Sequence, residues 1–301
     1  MAVGAHRAHA RADGTRRVYQ SEWISFEAWA AVARIVALPA TPQTVATYLA
    51  WMADAGSSAA TIAGHAAAIR ERHRSAGLPV PTDDPHVQET LAGIRRVIGT
   101  RSNRKAPVDA DALHKMLATL GSDVAAHRDR AVILVGYEGA FRRSELVALD
   151  VESITWRSDH ARILISRSKT DQEGEGRYKV LRASCAALRD WLQIAKIDAG
   201  PVFRGVTKSG SVRETRLTAG SVARIVKATA RAAGLNDKTF SGHSLRAGFV
   251  TEALRRKSPR DQIRAQTGHR RDETLDIYDR EGNPEKRIED VDVGIDDEDD
   301  A

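Results

Sequence analysis

Three short patches in this 301-residue chain carry residue types suited to chemistry on a phosphate. The first is Gly139-Ala140-Phe141-Arg142-Arg143-Ser144-Glu145-Leu146, set between two apolar helical runs. The second is Gly242-His243-Ser244-Leu245-Arg246-Ala247-Gly248. The third is Gly268-His269, with Tyr278 nine residues beyond the histidine. His243 and Arg246 are three apart, so a helix starting near Ser241 puts them on one face. A guanidinium offers a planar fork that matches two phosphate oxygens and keeps its charge at every working pH. An imidazole donates to an oxygen or moves a proton near neutrality. Asp272 is suited to cap a short helix carrying Leu275, Ile277 and Tyr278, which presents the phenol near a helix end. Singly, each signal is weak. A His-x-x-Arg pair is more often a surface pair, and a tyrosine after isoleucine is usually a core-edge aromatic.

Positioning these groups takes a scaffold, and its outline is legible. Residues 1–17, with Arg7, Arg11, Arg16 and Arg17, read as a flexible basic arm. From residue 18 to 98 the pattern is helical. Trp23, Phe26, Trp29 and Ala30 form one apolar stripe. Thr41-Pro42 predicts a capped helix through Val45, Tyr48, Leu49 and Met52. A third helix follows from Ser58 to Ala76, closed by Gly77, and a fourth covers Val87 to Arg96 after Pro79, Pro81 and Pro85. Residues 99–107, with Arg101, Arg104 and Lys105, form a basic linker by composition. The second domain, 108–288, opens with helices at 110–120 and 125–137. Three short strands are predicted at 154–156, 161–166 and 177–181, with turns at Ser158-Asp159 and Glu173-Gly174-Glu175-Gly176. The remainder reads as helix, broken near Gly210 and Gly234. Residues 289–301 read as an acidic disordered tail.

Composition narrows the function. Hydrophobic residues are 42% and charged residues 29%, which is globular. No apolar run approaches the ~20 residues of a membrane span, and no secretory signal opens the chain. One cysteine, Cys185, makes neither an internal disulfide nor a thiolate metal cluster, in keeping with a reducing cytoplasm. The net charge is +6, but residues 289–301 hold eight acids and no base. Removing those eight negative charges leaves +14 on residues 1–288, a body that attracts a polyanion, with nucleic acid the first expectation.

In this order the patches are specific: the chain resembles the tyrosine recombinase (phage integrase) family along nearly its whole length. The family pattern is Gly-x-x-Arg-x-Ser-Glu-Leu, a hairpin lysine, His-x-x-Arg, Gly-His, and a tyrosine nine residues on. Arg142, Lys169, His243, Arg246, His269 and Tyr278 fill those positions. Leu38-Pro39-Ala40 and Ser58-x-x-Thr61-Ile62 are similar to segments of the family's core-binding domain. The resemblance implies a mainly α fold with a small antiparallel β-sheet: an N-terminal four-helix core-binding (SAM-like) domain, then a catalytic domain. It implies that Tyr278 attacks a DNA phosphate and forms a 3′-phosphotyrosyl link. Arg142 and Arg246 would hold the non-bridging oxygens, and Lys169 would protonate the leaving 5′-oxygen. His243 would assist at the tyrosine and His269 would donate to the phosphate. No metal and no ATP are implied, because the bond energy is kept in the protein–DNA link. The implied partner is double-stranded DNA carrying a recombination site, bound by a homo-tetramer on two sites through a four-way junction. The free protein would be a monomer or weak oligomer.

The sequence departs from the family at Thr267, where leucine usually precedes Gly-His; this bears on packing. A second departure is Gly282-Asn283-Pro284 and the acidic run, where many relatives have a helix that docks on the neighbouring protomer. Arg167 rivals Lys169, although a lysine suits proton transfer and an arginine does not. Glu145 caps a helix or buttresses Arg142. His114, His127 and His160 read as surface residues. Phosphate contacts are expected from Arg70, Arg72, Arg74, Arg95, Arg96, Arg101, Arg104, Lys105 and Arg143. Two alternatives remain: a relaxing topoisomerase acting as a monomer, and a DNA-binding or architectural protein of this fold without turnover. The tail could also fold back on the basic body as a DNA mimic, or serve only for solubility.

Overall fold

The computed structural model describes residues 13–100, 105–166 and 176–282. The chain divides into two compact units, residues 1–104 and 105–301.

Among the described residues the first unit holds four α-helices: α1 (Asp13–Val32), α2 (Pro42–Asp54), α3 (Ala59–Ser75) and α4 (Pro85–Ile98). Each of the last three begins at a side-chain cap. Thr41 accepts from the Thr44 amide, Ser58 from Thr61, and Asp84 from His86. Pro42 and Pro85 occupy the first turns, where no amide hydrogen is needed. The expected stripe of α1 is buried at Trp23, Phe26 and Ala30, and Trp23 and Phe26 join Val45, Tyr48, Leu49 and Met52 of α2. Ile62 and Ile69 of α3 and Val87, Leu91 and Ile94 of α4 complete the core. The stretch read as a basic arm needs correction: α1 already begins at Asp13, so Arg16 and Arg17 are helical. Residues 1–12 lie outside the described residues.

The second unit begins with α5 (Ala110–Ala118), α6 (Val124–Glu138) and the short α7 (Arg143–Val147). Strands β1 (Ile154–Trp156), β2 (Ala161–Ile165) and β3 (Arg177–Leu181) form an antiparallel sheet in the order β1-β2-β3. Ile163 pairs with both Ile154 and Lys179, and Leu164 pairs with Tyr178. Then come α8 (Cys185–Ile194), β4 (Arg204–Val206), β5 (Val212–Arg216), α9 (Ala219–Ala232), α10 (Ser244–Arg255), α11 (Arg260–Thr267) and α12 (Glu273–Gly282). The β4–β5 hairpin corrects the expectation that the chain after residue 181 is helix broken near Gly210 and Gly234: the Gly210 break lies between two strands. β4 is half-buried and β5 carries mostly polar, exposed side chains, so hydrophobic alternation gives no sign of them. One large core runs from Val108 through Val132, Phe141, Ile163, Leu188, Trp191 and Phe203 to Val226 and Leu245.

The last part of the expected linker belongs to this second unit. Ala106 donates to the Thr239 carbonyl and Val108 to that of Ser244, with Val108 fully buried. Gly248 makes this fit possible: a Cβ there would lie 1.9 Å from the Val108 carbonyl oxygen. Arg101 and Arg104 lie outside the described residues.

Candidate active site

Five of the six expected site residues fall in the described part of the second unit, on three separate segments; Lys169, with its rival Arg167, lies outside it. Arg142 sits at the start of α7. Glu145, three residues on, turns back to meet it: Oε2 accepts from the Arg142 amide at 3.0 Å and Oε1 from its Nη1 at 2.6 Å. Arg177 of β3 donates to the same Oε1 at 3.1 Å. Glu145 is 5% exposed. Burial pushes its pKa up, but the Arg142 amide, Lys179 and the Arg142 guanidinium outweigh that and hold it below the ordinary value. It is therefore a carboxylate, and it fixes Arg142 in place.

His243 and Arg246 open α10, with His243 at the cap position and Arg246 one turn in. The imidazole is exposed, whereas Arg246 is 1% exposed. Arg246 Nη1 donates to the carbonyls of Ala140 and Thr267, both at 2.7 Å, and Nη2 meets His269 Nε2 at 2.8 Å. These contacts engage three of its five N–H donors. Burial, then Arg142, lower its pKa to about 10, so it stays cationic at neutrality.

Gly268 lets the chain leave α11 in the left-handed region, at φ 72°, and so swing His269 back toward Arg246. A Cβ on Gly268 would lie 1.2 Å from Arg177 Nη1, so the guanidinium packs where only glycine leaves room. Burial and the cations around His269, Arg246 first among them, depress its pKa to about 3. The ring is neutral at physiological pH.

Tyr278 lies on α12, which starts immediately after Asp272. Leu275 fastens this helix in a small cluster with Val250, Leu254 and Ile263. Arg260 bonds Asp276 at 2.7 Å and Asp279 at 3.1 Å, and Arg264 pairs with Asp272 at 3.0 Å. Tyr278 Oη comes within 3.3 Å of His243 Nε2, and its ring stacks on His269 with centroids 6.0 Å apart.

Lys179 and Arg177, both on β3, escaped the sequence reading. Lys179 of β3 is fully buried, and its ammonium donates to the carbonyls of Gly139 at 2.6 Å, Ala140 at 3.4 Å and Gln266 at 2.5 Å. Burial, then Arg177, push its pKa well down, while Glu145 pulls it up. The strand alternation carried the signal, because a period of two puts Lys179 on the inward face with Leu181. Thr267 corrects an expectation. Its side chain is not only packing, since Oγ1 lies 3.1 Å from His269 Nδ1.

The expected phosphate contacts do not behave as one group. Arg70 is committed within the fold, pairing with Asp83 and donating to Thr82. Arg72, about 200° round the helix from Arg70, lies over the Trp23 ring. Arg74, Arg95, Arg96 and Arg143 are exposed. Lys105 donates to the Lys238 carbonyl at 2.7 Å.

Residues 107–283 match the family model described as "Phage integrase family". The chain belongs to the phage integrase family. It is 36% identical over 285 residues to the integrase/recombinase xerD homolog of Selenomonas ruminantium, covering 91% of this chain and 83% of that one. It is 25% identical over 252 residues to the recombinase cre of Escherichia phage P1, covering 77% and 73%. Among solved structures, the Tn1549 transposon integrase in complex with transposon right end DNA shares the fold of this family member. Its TM-score is 0.66 at 14% identity, over 94% of this chain and 96% of that one. No helix among the described residues is long and apolar enough to cross a membrane.

Proposed function

We propose that the protein is a site-specific DNA recombinase acting through a 3′-phosphotyrosyl intermediate. Tyr278 Oη attacks the scissile phosphorus. The bond to the 5′-oxygen breaks, leaving a phosphotyrosine on one side and a 5′-hydroxyl on the other. A 5′-hydroxyl from a second strand reverses the step and rejoins the DNA. A phenol with pKa near 10 needs a proton acceptor and nearby positive charge to attack at neutral pH. The observation that carries this reading is His243 Nε2, 3.3 Å from Tyr278 Oη, placed to take that proton. Arg142 and Arg246 are the cations for the non-bridging oxygens, where charge grows in the transition state. With Arg177 they surround a single buried carboxylate, Glu145, so the site attracts an anion. Lys169 takes the role of proton donor to the 5′-oxygen on its sequence position alone.

The four-helix unit serves as the core-binding domain, and four protomers assemble on two DNA sites and pass through a four-way junction. The named recombinases among the relatives, and the DNA in the Tn1549 integrase complex, support double-stranded DNA as the partner. The reaction needs no ATP, since the phosphotyrosine keeps the energy of the broken bond. The protein works on DNA in the cytoplasm.

The test uses end-labelled DNA from the region flanking the gene, nicked close to the cleavage position so that the covalent complex is trapped. After a detergent quench, a denaturing gel should show a slow, protease-sensitive band that is absent with Tyr278→Phe. A band that persists in the variant would overturn the choice of nucleophile. Tight binding without any band would favour an architectural role.

A further inference from the structure

Thr267 is the last residue of α11 and is fully buried. Its hydroxyl lies 2.7 Å from the Ile263 carbonyl, which can only accept, so its one proton is committed there. What Oγ1 has left for His269 Nδ1, at 3.1 Å, is a lone pair. On the far side of the ring, Nε2 faces Arg246 Nη2 at 2.8 Å. A guanidinium has donors only and keeps its protons, so Nε2 must present a lone pair. A neutral imidazole has one N–H, and both neighbours require it on Nδ1. The pKa of about 3 keeps the ring in that neutral form.

We propose that Thr267 is a positioning residue that locks His269 in its Nδ1–H tautomer, so that Nε2 acts as the acceptor that orients Arg246. The proposal rests on the site described under the proposed function, and it changes the part that the family resemblance implies for His269, donation to the phosphate. A relay runs from the Ile263 carbonyl through the Thr267 hydroxyl and the imidazole to the guanidinium. Arg246 is aimed by three acceptors: the Ala140 and Thr267 carbonyls and His269 Nε2. Direct donation from Nε2 to a phosphate would require a second proton on the ring. In this chain His269 acts on the phosphate through Arg246. Leucine at position 267 offers no oxygen to Nδ1, so the lock is a property of this sequence.

The test compares the full chain with Thr267→Val, which is nearly isosteric, and Thr267→Ser, which keeps the hydroxyl. The first readout is the nitrogen-15 spectrum of the imidazoles near neutral pH, without DNA, with His269 assigned by its loss in His269→Gln. The wild type should show His269 protonated on Nδ1; Thr267→Val leaves that N–H without its acceptor, so the ring turns from Arg246 and the signature should be lost, whereas Thr267→Ser should keep it. The second readout is covalent complex formation on the nicked substrate. Thr267→Val should slow it ten-fold or more at saturating DNA while DNA affinity stays within two-fold. Thr267→Ser should recover it to within three-fold of wild type. A wild-type His269 protonated on Nε2 overturns the proposal, whatever the variants do. So does a signature and rate unchanged in a folded Thr267→Val. If the signature changes as expected while no protein forms a covalent complex, the tautomer lock stands and the phosphotyrosyl mechanism falls.

Discussion

Glu145 is one carboxylate answering several cations, and its charge is the residue-scale feature on which the site depends most. It takes two bonds from Arg142 and one from Arg177, and Lys179 lies close enough to lower its pKa. Replacing it with glutamine keeps the shape and removes the charge. Breaking such a buried arrangement from one side typically costs several kcal/mol. With Arg142 partly exposed, Glu145→Gln should lose about 2–4 kcal/mol at pH 7, read from urea unfolding. The pH dependence has a fixed sign. The folded-state pKa is depressed, so the contribution is fully present above the unfolded value, near 4.3, and fades as pH falls through the folded value. The gap between wild type and Glu145→Gln should therefore shrink below about pH 4. A constant gap down to pH 3 would mean that the carboxylate charge is not what the cations need.

At the scale of elements, α12 matters because it carries the nucleophile on a small footing. Leu275 is fully buried, but its cluster is small: Val250, Leu254 and Ile263 are buried with it, and Phe249, Ala253 and Tyr278 pack half-buried against them, apart from the large core of the second unit. The ion pairs from Arg260 and Arg264 are partly exposed, and such pairs contribute at most about 1 kcal/mol each. The anchoring is thus mainly apolar. Leu275→Ala should cost about 2–4 kcal/mol locally. Because the cluster is a satellite, the loss should appear as local opening of residues 273–282. Hydrogen exchange should accelerate there while the α6 amides keep their protection, and covalent complex formation should fall ten-fold or more. Equal acceleration in α6 would show that α12 unfolds only with the whole unit.

Across the whole molecule the excess positive charge is large, but the structure sorts its members. Arg70 is held by Asp83 and Thr82, whereas Arg74, Arg95 and Arg96 stand exposed on the first unit. Each phosphate neutralised releases about one counterion, so binding weakens with salt in proportion to the contacts made. Arg95→Ala with Arg96→Ala should reduce the slope of log affinity against log salt by about two. Arg70→Ala should leave that slope unchanged and lower stability instead. Fluorescence anisotropy with a DNA duplex between about 50 and 200 mM salt separates the two cases. A full unit of slope lost with Arg70→Ala would show that Asp83 releases it to DNA.

The sequence by itself determined the order of the chemical groups, the four helices of the first unit and the three strands beside the site. These depend on residue type, caps and period, all of which are local. Trp23, Phe26, Val45, Tyr48 and Leu49 had to be buried because their spacing leaves one apolar face. Tertiary structure decided what each polar group is bonded to. Arg246 meets the Ala140 carbonyl across 106 residues of chain, and Lys179 meets that of Gln266 across 87. Nothing in local spacing specifies such partners. The same holds for Arg70, which looks free on a helix until Asp83 folds beside it. It holds most sharply for Thr267. Packing was all the sequence offered for it. The turn at Gly268 and the buried Arg246 make its hydroxyl the group that sets which nitrogen of His269 carries the proton. A tautomer depends on what faces both sides of a ring, and only the folded chain brings those two sides together.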